Sequence, residues 1–164
     1  MLRQSVSVGP ASVMPQIDGH IPFRTVDLLV SFPRTSPKIG PLIKDVQKRN
    51  HGLLLSQTED PDVGSQPHFA ALGLKSNDNS YNSSILQLAT WLAAGLIKMD
   101  QLLERSASVQ SSGKAKEESE SSSPMPQIGI SVVGHLWHLH LAWKEQNGDI
   151  VSLFLLRSSL NFFR

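Results

Sequence analysis

The chain has 164 residues, 40% hydrophobic and 18% charged, with no cysteine and a formal net charge of +1. That length suits one domain, and the near balance of charge gives no global field to draw it to nucleic acid or membrane. Disulfides, thiolate metal sites and a thiol nucleophile are excluded.

Residues 1–23 are rich in Ser, Pro and Gly and read as an irregular segment with room for one short strand. They lack the apolar stretch of a signal peptide. The first strong element is Arg24 to Phe32, β-branched and apolar, closed by Pro33, and it predicts a buried strand. A proline-rich loop follows, then Leu42 to Asn50 as a short helix, then turn residues from Ser56 to Pro67. His68 to Lys75 reads as a second strand. Next, Asn82 or Ser83 is placed to cap a helix on which Ile85, Ala89, Leu92, Leu96, Met99 and Leu103 form one face. Between 88 and 97 the remaining faces are also apolar, so this helix should be buried on more than one side. Its longest apolar run, Ile85 to Ile97, is too short to cross a bilayer.

Ser106 to Pro124 contains eight serines and predicts a disordered insertion. Ile128 to Trp143 and Ile150 to Leu156 flank Asn147-Gly148, a hairpin signal. The coarse reading is a sheet with at least one helix packed on it. An intracellular location, cytoplasmic or nuclear, is expected, with no membrane partner.

Asp27 stands among Val26, Leu28, Leu29 and Val30. A carboxylate in such company needs a partner, a metal or a proton. Its bland reading is a structural Asp at a strand end that accepts loop amides. Lys75 closes the next strand on the same face as Gly73. If the two strands are antiparallel neighbours, Asp27 and Lys75 meet at one end of the sheet; the plain alternative is a lysine ending a strand in solvent.

Val26-Asp27, Asn50-His51, the strand ending in Lys75, the helix Leu86-Gln87-Leu88-Ala89-Thr90-Trp91, and Gly134-His135-x-Trp137 follow in that order. Together they resemble the fungal PD-(D/E)XK nuclease-like proteins, a branch of the restriction-endonuclease-like superfamily, over Arg24 to Leu156. The resemblance implies an α/β fold, a mixed β-sheet with flanking helices around a restriction-endonuclease-like core, incomplete at both ends. The domain would span 24–156, with 106–124 as its disordered insertion and 157–164 as a C-terminal tail.

In that family an Asp on one strand and Glu-x-Lys on its neighbour work together. The two carboxylates hold Mg²⁺, and the metal lowers the pKa of a bound water. By resemblance, Asp27 matches the metal-binding Asp, Lys75 the catalytic Lys, and Gln87 the helix Gln that helps fix the site. The acidic position falls on Gly73, which brings no ligand. The resemblance therefore implies a diverged protein with a degraded metal site and no catalysis. Two alternatives stay open. One is an active Mg²⁺-dependent DNA nuclease using Asp27, Lys75 and a migrated carboxylate, Asp78 or one from Glu59-Asp60-Pro-Asp62. The other is a non-catalytic accessory protein, of the kind found in fungal biosynthetic gene clusters, with a protein partner at its apolar C-terminus.

Two further clusters compete for attention. In His135-x-x-His138-x-His140, strand alternation puts His135 with Trp137, Leu139, Leu141 and Trp143 on a core face, leaving His138 and His140 on a solvated face with Lys144. Lys38, Lys44, Lys48, Arg49 and His51 form a modest basic patch that would touch nucleic acid weakly.

Overall fold

The computed structural model describes residues 2–7, 25–49, 54–76, 81–110 and 124–159. In chain order the elements are β1 (Leu2–Ser7), β2 (Thr25–Ser31), α1 (Gly40–Arg49), α2 (Pro61–Gly64), β3 (His68–Lys75), α3 (Tyr81–Gln110), β4 (Gln127–Val133), β5 (Leu136–Lys144) and β6 (Ile150–Ser159). The six strands form one sheet in sequential order. All neighbours are antiparallel except β3 and β4, which run parallel and are joined by α3. A parallel pair needs a long crossover, and α3 supplies it. This is an α/β fold with a mixed sheet, as the sequence predicts.

The core lies between α3 and the middle of the sheet. Leu88, Trp91, Leu92, Ala94 and Leu96 of α3 are buried with Leu29 of β2, Ala71 of β3 and Ala142 of β5. The helix comes close at Gly129 on β4, where a Cβ would stand 2.7 Å from Leu88 Cδ2 and 2.9 Å from Leu92 Cδ1. The helix is covered on more than one side, as its composition predicts: Gln57, from the loop after α1, donates to the Trp91 carbonyl at 3.4 Å. The buried stripe is nevertheless centred one residue earlier than the apolar periodicity indicates. Ser84, Gln87, Thr90 and Lys98 are all buried, while Ile85, Ala89 and Met99 are only half-buried. Polar residues on the inner face hid its centre. Among the described residues, no helix is long and apolar enough to cross a membrane.

The short strand for which residues 1–23 leave room is edge strand β1, which pairs Leu2 with Val30 and Ser7 with Thr25; Leu2-Arg-Gln-Ser-Val-Ser has little pattern of its own and gains strand structure from its partner. Other boundaries differ from the sequence reading. Helix α3 begins at Tyr81, so Asn82 and Ser83 lie in its first turn instead of capping it. It also continues to Gln110, into the stretch expected to be disordered, with Ser106 Oγ bonded to the Leu103 carbonyl at 2.8 Å. Strand β6 runs to Ser159, beyond the expected domain end at Leu156.

The run from Ile128 to Trp143 is two strands, because Gly134 (φ +58°) and His135 make a turn between Val133 and Leu136. The Asn147-Gly148 hairpin is present, with Gly148 at φ +94° and its N–H bonded to the Glu145 carbonyl at 3.0 Å.

Candidate active site

Three elements converge where β2 begins and β3 ends. The ladder between these strands pairs Leu29 with Ala71 and Leu28 with Leu72. Continued one step, the same register sets Asp27 against Gly73 on one face. The side chain of Asp27 extends the ladder there, since its Oδ2 accepts the Leu74 N–H at 2.6 Å. Lys75 Nζ lies 3.9 Å from the same oxygen. The two residues singled out in the sequence do meet at one end of the sheet. The carboxylate also satisfies a backbone amide, but one of strand β3 and not of a loop.

Helix α3 roofs this corner. Gln87 donates from Nε2 to Thr25 Oγ1 at 3.2 Å, tying the helix to the start of β2. Its Oε1 is buried and has no hydrogen-bond partner among the described residues. One turn earlier, Ser84 is fully buried and its Oγ also lacks a partner. That Oγ lies 2.7 Å from where a Cβ on Gly73 would stand. The space beside Gly73 is therefore taken by a serine hydroxyl. Leaving such a group unbonded typically costs about 1–3 kcal/mol.

Gly134 reaches the same corner through the backbone, its N–H donating to the Lys75 carbonyl at 2.9 Å. Trp137, two residues past His135, does not reach it and is 38% exposed. Trp91 is buried in the core with its ring centroid 6.4 Å from that of His68. Asp60 is committed elsewhere as the cap of α2, accepting from Asp62 N and Val63 N. Asp78 and Asn50-His51 lie outside the described residues.

The histidines face opposite to the sequence expectation. Ser131 pairs with His138 and Gly129 with His140 across β4 and β5. Since Gly129 lies under α3, both histidines point inward and are buried. Ser131 Oγ and His140 Nε2 are 2.9 Å apart; Tyr81 OH and His138 Nδ1 are 3.3 Å apart. Burial lowers the pKa of His140, and His138 lowers it further. Lys144 also points to the helix side, where it pairs with Asp100 of α3. The alternation itself was read correctly; assigning the tryptophans to the core inverted it. The signal for the true register is the glycine on β4, which needs a helix above it.

His68, at the far end of β3, is half-buried, with both ring nitrogens shielded from water and unbonded among the described residues. Desolvation lowers its pKa to about 4.

The sheet order, the parallel pair bridged by a helix, and the Asp and Lys on neighbouring strands define a restriction-endonuclease-like architecture. The family model for the PD-(D/E)XK nuclease superfamily matches residues 2–160, and the chain belongs to that superfamily. No curated protein and no solved structure matches the chain.

Nucleases of this superfamily generally use Mg²⁺. Such an ion demands near-octahedral oxygen ligands and is usually held by one or two carboxylates plus substrate phosphate. Here the described residues bring one carboxylate, Asp27, to the corner, already engaged by an amide and near an ammonium, and Ser84 Oγ takes the space beside Gly73. Among the described residues, no group of three His, Asp or Glu is placed to hold a metal. The residues described do not fit the family's ion.

Proposed function

We propose that this protein is a diverged PD-(D/E)XK nuclease-fold protein that does not cleave nucleic acid, with Asp27, Lys75 and Gln87 marking a former reaction site. The observation that supports this reading is the serine hydroxyl 2.7 Å from the missing Gly73 Cβ. An acidic side chain has not merely been deleted there; its space has been refilled by the helix above. Lys75 keeps its place beside Asp27. A fold that keeps its sheet and loses its ligands acts through contacts, as the accessory proteins expected from the sequence do. Any residual contact with nucleic acid would be weak and salt-sensitive, given a net charge of +1.

The test is incubation of the full chain with linear duplex and single-stranded DNA in Mg²⁺ or Mn²⁺. No fragments should appear. Cleavage that Asp27→Ala abolishes would overturn the reading. A calorimetric Mg²⁺ titration probes the same corner. Gly73→Glu alone should gain less affinity than the same change made with Ser84→Ala, because its longer side chain competes with Ser84 Oγ for the space beside the strand. Gly73→Glu with Ser84→Ala should gain about 10-fold or more in affinity over the native chain, on the scale by which a lost partner group weakens metal sites.

A further inference from the structure

We infer that the groove between α1 and α3 docks an acidic amphipathic helix from another protein. Leu42, Ile43 and Val46 stand at the spacing of one helical face on α1, and Met99, Leu102 and Leu103 do the same on α3. Between them is an apolar cleft of about 420 Å³, within the range that admits a ligand's side chains (roughly 300–1,000 Å³). Its outer wall is open to water: Leu42 is 64% and Val46 38% exposed. A helix lying in such a groove anchors itself by residues three and four apart over about two turns, roughly 11 Å.

The stretch that follows α3 is not the occupant: residues 111–123 contain no apolar residue larger than Ala115, so they cannot fill an apolar cleft. Charge then selects the partner. From Arg34 to Lys48 the α1 side exposes Arg34, Lys38, Lys44 and Lys48 against Asp45 alone. Two copies meeting at this groove would bring like charges together, whereas carboxylates flanking an apolar stripe meet their complement. Nucleic acid would satisfy the lysines but give the leucines nothing to bury against. The inference stands apart from the question of cleavage, since the groove is lined by none of Asp27, Lys75 and Gln87.

The test is fluorescence anisotropy of the full chain with a labelled synthetic helix carrying Leu at positions i, i+3, i+4 and i+7 and Glu elsewhere. A sequence-scrambled peptide and a Lys-for-Glu version run in parallel. The Leu/Glu helix should bind saturably and at least about 10-fold more tightly than either control. Leu42→Glu should cost it about 10-fold or more, the scale of an interface anchor. Far-UV circular dichroism of that variant should be native, since Leu42 is mostly solvated. Lys38→Glu, beside the groove, should shift preference toward the Lys peptide. Equal binding of the three peptides, no binding at all, or indifference to Leu42→Glu would overturn the inference. So would a dimer in sedimentation that Leu42→Glu dissociates, which would assign the groove to a second copy, or duplex DNA displacing the peptide from native and Leu42→Glu chains alike.

Discussion

Gly129 and Gly73 lie on neighbouring strands, on the same face, beneath the same helix, yet α3 meets them differently. At Gly129 the helix lowers two leucines into the space a side chain would fill, and the contact is apolar and complete. At Gly73 it lowers a serine whose hydroxyl finds no partner among the described residues, beside a glutamine oxygen that finds none there either. Glycine at the first position is a packing device. At the second the helix sets polar atoms against the strand, beside Asp27 and Lys75.

The comparison can be broken most directly in the core. Leu88→Ala should cost about 2–5 kcal/mol in urea denaturation, since it empties space above Gly129. Ser84→Ala, one turn away, should be neutral or stabilising by about 1 kcal/mol, because it removes an unbonded buried hydroxyl. Equal costs for the two would erase the distinction.

A second test asks whether unpartnered polar burial extends beyond the corner. The folded pKa of His68, about 4, lies below its ordinary 6.5, so the unfolded chain binds more protons between those values. Stability should therefore be intact above pH 6.5, fall as pH drops toward 4, and level off below it. The loss attributable to His68 is roughly 3 kcal/mol at most. His140, shifted in the same direction, adds to the fall. His68→Phe should flatten the profile measured by denaturant midpoints; an unchanged slope would mean that His68 is protonated inside the fold.

Smaller effects sharpen the contrast between the glycines. Gly129→Ala forces a methyl against both leucines and should cost about 1–3 kcal/mol. Gly73→Ala asks only that Ser84 rotate, while the strand gains backbone restriction of about 0.5–1 kcal/mol. Its net change should stay within about 1 kcal/mol, as thermal melts would show.

Much of this was legible in the chain because local chemistry and tertiary structure agree. His68 to Lys75 is bounded by turn residues, carries strand-forming side chains and is a strand over that range. The pairing of Asp27 with Lys75 followed from their places at strand ends. The histidines were misread because Leu139, Leu141 and two tryptophans outweighed them as core candidates, although a buried strand face accepts a histidine bonded to a neighbouring serine or tyrosine. Ser84 was missed because nothing in a sequence shows that a helical serine sits over a strand glycine. Edge strand β1 has no periodicity to display, and the length of α3 was underestimated because serines were weighted above propagation of an established helix.

The bond from Asp27 to the Leu74 amide bears on how such chains drift. A residue with two jobs outlives the loss of either one, so the sheet would hold this aspartate in place even if catalysis ceased to select it. Ancestral-looking signatures in decayed enzymes will then be enriched in those letters that also hold the architecture together, and the letters that served chemistry alone will be the first to vanish.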